Sequence, residues 1–133
     1  MKILIVGENG RPHALAEALA TEGLSVARPP RGALPAAQDD EVALIAAGLI
    51  AFEKLFAEDA PDAVLLVSES NLALAALLVA TKERIPVAGL EEGTLADDPP
   101  DGLNHRLIGH LADATMIADA GTIAAWLRSL VAA

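Results

Sequence analysis

Lys2-Ile-Leu-Ile-Val6, closed by Gly7, and Ala63-Val-Leu-Leu-Val67, preceded by Pro61, are the two stretches whose reading decides the fold. A strand with one wet face alternates apolar and polar residues. A short run of four or five apolar residues bounded by Gly or Pro reads as a strand buried on both faces, which is the habit of parallel sheets covered by helices. The sequence between and beyond these runs supplies the helices. Pro12 suits a first helical turn, and Ala14, Leu15, Ala18 and Leu19 form an apolar stripe that Gly23 ends. Leu24 to Ala27 predicts a second short strand, and Arg28 to Gln38, with three prolines and a glycine, a loop. From Asp40 onward acidic residues load a first turn, and Ile45, Leu49, Phe52 and Phe56 follow at helical spacing. Ser68 to Asn71 is a polar turn containing an N-cap, and Leu72 to Arg84 is a helix apolar on most sides. Ile85-Pro-Val-Ala88 predicts a short strand with Pro86 at its start, and Gly89 to Gly102 the longest loop. Leu103, Leu107 and Leu111 mark a helix, Ala114 to Ala118 a fifth strand, and Ile123, Trp126, Leu127 and Leu130 a last helix. Strands alternating with helices in this way predict an α/β fold. The expected architecture is a three-layer, Rossmann-like single domain over residues 1–133, with a mostly parallel sheet of about five strands.

Composition narrows the function. The formal charge of −10 disfavours phosphate backbones and anionic lipid, so neither a nucleic acid nor a membrane is an expected partner of this acidic chain. The longest apolar stretch, Leu72 to Ala80, is too short to span a bilayer, and Met1-Lys2 runs straight into a strand, with no signal peptide visible. With no cysteine there are no disulfides, thiolate metal sites or Cys nucleophiles, and a cytoplasmic location is expected. Only Phe52, Phe56 and Trp126 are aromatic, so Ala, Leu, Val and Ile must fill the core.

In open parallel sheets, ligands bind beyond the carboxyl ends of the strands. Gly7-Glu-Asn-Gly-Arg-Pro-His13, Ser68-Glu-Ser-Asn71 and Gly89-Leu-Glu-Glu-Gly93 should all lie there, bringing Arg11, Glu69 and Glu91 to one rim. Gly7 and Gly10 before a helix N-terminus suit an anion, but the loop is neither a full G-x-G-x-x-G nor a Walker loop, and it reads equally as a tight structural turn. Arg28 stands where a dinucleotide site would carry an acidic residue. Glu69 and Glu91 have the chemistry of an acid/base pair, or are solvated carboxylates. Ser68 and Ser70 are capping candidates, and His13 is a ligand or an exposed residue of a first helical turn. His105 and His110, five apart, are poorly placed to share a metal, so neither a metal nor a cofactor is expected.

From Pro61 onward the chain resembles the N-terminal domain of the non-hydrolysing UDP-N-acetylglucosamine 2-epimerases. The resemblance rests on Pro61-Asp-Ala-Val-Leu-Leu-Val67, Glu69, Leu72 to Ala80, Ile85-Pro-Val87, Glu91-Glu-Gly93, Pro100-Asp-Gly-Leu-Asn104, Leu107 to Ala112 and Ile117-Ala-Asp-Ala120, with Arg11-Pro12 echoing an earlier loop of the family. It implies a nucleotide-sugar or phosphorylated ligand. Arg11, Glu69 and Glu91 would be catalytic. Gly7, Asn9, Gly10, Arg11, His13, Ser68 and Ser70 would contact the ligand. The departures are specific. Glu69 replaces the family's catalytic Asp, Ser68 its Gly, Ala16 its Lys and His105 its Arg, and Asp101-Gly102 stands for its acidic pair. The family's second domain, which grips most of the UDP, has no room in 133 residues. The expectation is therefore a half-site without full epimerase activity alone, completed by a partner chain or a second copy. The alternative is an interaction or oligomerisation module using the Leu103–Leu111 face or the last helix. A narrower resemblance, Ile3 to Gly7 through Gly10-Arg11 and His13 to Ala16, is to the N-terminal domain of glycinamide ribonucleotide synthetases.

Overall fold

The computed structural model describes residues 1–7, 11–36, 40–91 and 101–132. Among these, β1 (Ile3–Val6), β2 (Val26–Ala27), β3 (Ala63–Leu66), β4 (Val87–Glu91) and β5 (Ala114–Ile117) form one sheet in the order β2-β1-β3-β4-β5. Every pairing is parallel. The crossovers run through α1 (Arg11–Thr21), α2 (Glu41–Glu58), α3 (Asn71–Lys82) and α4 (Asp101–Leu111), and α5 (Ala120–Ala132) closes the described chain.

The period-2 alternation of the strands explains the two halves of the core. Leu4, Val6, Val64, Leu66 and Val87 point to one face, where Phe52 and Phe56 of α2, Leu74 and Leu77 of α3 and Ile108 of α4 cover them. Ile3, Ile5, Leu65, Val67 and Leu90 point to the other, under Leu15 and Leu19 of α1 and Ile123 and Leu127 of α5. The wholly apolar runs are thus buried on both sides, as expected. The two phenyl rings lie 5.8 Å apart at a tilt of 56°, within the range of favourable aromatic pairing.

Four boundaries or faces differ from the sequence reading. β2 has two residues where four were expected. β4 begins after Pro86, whose carbonyl accepts from the Val64 amide at 2.9 Å, so Gly89 to Glu91 are strand and not loop. Gly89 sits in the strand because a Cβ there would lie 2.9 Å from Ile108 Cγ2; the glycine serves a close helix approach, not a turn. In α4, Leu103 and Leu111 are 50% and 38% exposed, and the inward stripe is Asn104, Leu107 and Ile108. In α1, Ala14 faces solvent and Pro12 joins Leu15 and Leu19 inside.

The helix ends carry their own chemistry. Asp40 caps α2 by accepting from the Val42 and Ala43 amides, and Ser70 caps α3 through the Ala73 amide. Asp119 accepts from both the backbone amide and the hydroxyl of Thr122, the amide first in weight, and its carboxyl is held below the ordinary aspartate value. A lowered folded-state value means that this contribution is complete above the unfolded pKa, near 4, and disappears as pH falls below that through the folded value. In acid titration followed by NMR, Asp119 should titrate below a free aspartate, and Thr122→Val should undo only part of the displacement, because the amide remains.

α1 and α3 end in the same motif with different residues. Gly23 (φ 78°) and Arg84 (φ 62°) both occupy the left-handed position, and the next amides, Leu24 and Ile85, reach back to Leu19 and Ala80 carbonyls. Arginine pays a Cβ penalty there that glycine does not. Arg84→Gly should raise unfolding stability by about 0.5–1 kcal/mol after the extra chain entropy of glycine is allowed for, measured by urea denaturation.

Candidate functional site

The register decides what meets at the carboxyl edge. Val6 pairs with Leu66, and Leu66 with Gly89, so β4 runs two residues beyond the end of β3 and carries Glu91 out to the level of the β3–α3 turn. Ser68, Glu69, Glu91 and His105 consequently line one small recess of about 10 Å³, floored by Gly89, Ile108 and Thr115. That is room for about one water molecule.

Glu69 is the most constrained of these groups. Its side chain is 27% exposed and its Oε2 lies 2.7 Å from His105 Nδ1. Oε2 is itself buried and, among the described residues, makes no other polar contact that qualifies as a hydrogen bond. The contact is an ion pair when the imidazole is protonated. Behind it stands Asn104, 4% exposed. Its Nδ2 donates to the Glu69 carbonyl at 2.9 Å and to Asn71 Oδ1 at 3.0 Å. Asn71 Nδ2 in turn donates to Glu41 Oε1 at 3.3 Å. Ser70 is occupied by its capping bond and by Ser68 Oγ at 3.2 Å.

The remaining candidates stand as follows. Gly7 ends β1 against Val67 and Pro12, with a Cβ position only 1.9 Å from Val67 Cγ2. His13 lies on the exposed side of α1 with its Nε2 3.2 Å from Glu17 Oε1, and it is not among the residues lining the recess. Asn9, Gly10 and the Arg11 side chain lie outside the described residues. Glu69 and Glu91 are thus brought together, and the guanidinium expected beside them is not placed. His105, read from sequence as a poor metal ligand and as the residue in place of the family's Arg, joins them. Its signal was the run Pro100-Asp-Gly-Leu-Asn104, which puts it next to the family-like asparagine. Among the described residues no group of three His, Asp or Glu side chains is arranged for a metal ion. No helix of the described chain is long and apolar enough to cross a membrane.

A larger cavity, about 440 Å³, lies away from this recess. Ile3, Leu4, Val26, Leu55 and Phe56 line it, beside the Lys2–Asp59 ion pair. Both residues of β2, Val26 and Ala27, line it, and so do Arg28, Glu58 and Asp59.

The class that fold and rim define is an α/β protein of the doubly wound kind, with its switch point between β1 and β3 and a carboxylate pair over the neighbouring ends of β3 and β4. The sequence profile of the family described as UDP-N-acetylglucosamine 2-epimerase matches residues 2–128, and the chain belongs to that family. Of the two resemblances read from the sequence, this is the first. Solved structures agree in fold. The UDP-GlcNAc 2-epimerase from Methanocaldococcus jannaschii superposes with a TM-score of 0.72 at 23% identity, covering 88% of this chain and 39% of that one. The same enzyme in complex with UDP-GlcNAc and UDP gives 0.69 at 23% identity, with 84% and 39% covered. The Neisseria meningitidis enzyme bound to UDP-GlcNAc gives 0.64 at 19% identity, with 84% and 39% covered. The chain thus spans about two fifths of the length of these structures. No curated protein matches it.

Proposed function

We propose that this chain forms one wall of a nucleotide-sugar site, binding UDP-N-acetylglucosamine or a related phosphorylated sugar at the carboxyl edge of β1, β3 and β4. The single observation that carries this reading is Glu69 Oε2, a buried acceptor whose one close polar neighbour among the described residues is His105 Nδ1, sharing a recess with Glu91. Unsatisfied buried polar atoms are rare in proteins, and a ligand hydroxyl is one natural donor. Glu69 and Glu91 are assigned the acid/base roles, and Arg11, with Gly7, Asn9, Gly10, His13, Ser68 and Ser70, the ligand contacts. Similarity to structures whose ligands are UDP-GlcNAc and UDP supports that ligand class.

Turnover needs more than one wall. A cleft open on one side cannot exclude water from the reacting sugar. Each proton-transfer group is worth a factor of about 10²–10⁴ in rate, and the family's Lys and acidic pair are here Ala16 and Asp101-Gly102. The chain therefore binds without epimerising alone, and a second chain supplying the facing wall restores activity. Incubation with UDP-N-acetylglucosamine should leave the C2 configuration unchanged by NMR, whereas thermal denaturation at a ligand concentration 100 times Kd should show about 2.7 kcal/mol of added stability. Free turnover by the chain alone, or no stabilisation by any UDP-sugar, contradicts the proposal.

A second reading, a self-associating module, is favoured by the exposure of Leu103 (50%), Ile117 (70%) and Val131 (70%) around α4, β5 and α5. Light scattering separates them: a strict monomer at high concentration removes the homodimer and leaves the partner-chain arrangement. The location consistent with either reading is the cytoplasm.

A further inference from the structure

The Glu69–His105 contact joins two elements that the chain does not connect locally, since β3 and α3 carry one partner and α4 the other. Asn104 spans that gap. One of its amide hydrogens goes to the Glu69 backbone carbonyl and the other to Asn71 Oδ1, while its neighbour His105 projects from the same turn of α4 toward the Glu69 carboxylate. Because a backbone carbonyl can only accept, Nδ2 must face it. The amide orientation is fixed, and both donors are used. Asn71 completes the brace by donating to Glu41 in the first turn of α2. The relay thus ties the amino ends of α2, α3 and α4 behind the recess.

We propose that Asn104, braced by Asn71, is the positioning residue of this site, holding Glu69 beside His105 and thereby setting the affinity of the rim for a UDP-sugar. This rests on the function proposed above for the site itself. A buried asparagine serving only to fill space could be replaced by any side chain of its volume. A positioning asparagine cannot lose its donors. Asn104→Asp is the discriminating change, because it keeps size and shape but turns an acceptor toward two acceptors.

The experiment uses the full chain labelled with ¹⁵N and compares wild type with Asn104→Asp and Asn71→Ala at neutral pH. Three readouts are taken: the amide spectrum for folding, the His105 ring nitrogens and their cross-relaxation with Glu69 for the contact, and UDP-N-acetylglucosamine binding by calorimetry. In Asn104→Asp the amides of β1, β2, α1 and α5 should stay in place, the His105 signals should move toward those of a free imidazole, and affinity should fall tenfold or more. Asn71→Ala should shift the same signals part of the way and weaken binding about threefold. A folded Asn104→Asp with His105 signals and affinity unchanged overturns the proposal. If Asn104→Asp does not fold, Asn71→Ala decides: a shifted His105 supports the brace, an unmoved one overturns it. Failure of wild type to bind the UDP-sugar at all would sink the proposed function, and the His105 signals would still judge the positioning role.

Discussion

Phe52→Ala should cost about 3–5 kcal/mol of unfolding stability and lower the Tm by roughly 10–20 °C. Phe52 is completely buried at the centre of the core face shared by α2, α3, α4 and the sheet, against Phe56. The chain has few other large side chains: the only further aromatic is Trp126, on the opposite core face. The core face to which Phe52 and Phe56 belong is otherwise built of Ala73, Ala75, Ala76 and branched aliphatics, which are short side chains to fill a void the size of a phenyl ring. The helix it would loosen is the one whose first turn holds Asn71 through Glu41. Chemical denaturation should show a lower midpoint with an unchanged m-value. Phe52→Leu, leaving a smaller void, should cost clearly less. A loss under 1 kcal/mol for the alanine variant would mean that the core repacks freely around α2.

Gly7→Ala is the second large effect, from the opposite cause. A Cβ would lie 1.9 Å from Val67 Cγ2 and 3.3 Å from both Val67 Cβ and Pro12 Cγ, so the neighbours must move. Val67 is 5% exposed, continuing β3 with its amide on the Val6 carbonyl, and has little freedom to give way. Overpacking of this kind typically costs about 1–3 kcal/mol, and here it falls where β1 turns into α1 at the rim. The test is a double-mutant cycle with Val67→Ala. Truncating the methyl that collides should recover most of the Gly7→Ala penalty, giving a coupling energy well above the additive limit of about 0.5 kcal/mol. Strict additivity would show that the clash is relieved by some other movement.

The layers were legible in the sequence because they depend on patterns that a single chain displays. Short apolar runs bounded by Gly or Pro read as strands covered on both faces, and Ile3 to Val6 and Ala63 to Val67 lie in or continue adjacent central strands. What escaped was decided between elements. Gly89 carries the local mark of a turn, yet it lies in β4 because Ile108 presses on it from α4. Leu103 and Leu111 carry the mark of a buried stripe, yet the inside position went to Asn104, whose hydrogen bonds repay its burial in a way no hydrophobic period records. The same holds for the site. Glu69 and Glu91 follow from strand ends of a parallel sheet, which the sequence predicts. His105 follows only from the way α4 settles on β3 and β4, so it was visible through a family-like motif and not through spacing.

The central claim is that UDP-sugar binding occurs at the carboxyl edge of this sheet, and amide chemical shifts measured during titration of labelled protein with UDP-N-acetylglucosamine test it most directly. The predicted result is perturbation concentrated at Gly7, Ser68, Glu69, Ser70, Glu91 and His105. Perturbation confined to Ile3, Val26, Leu55 and Phe56 around the larger cavity, or no perturbation at millimolar ligand, would contradict it.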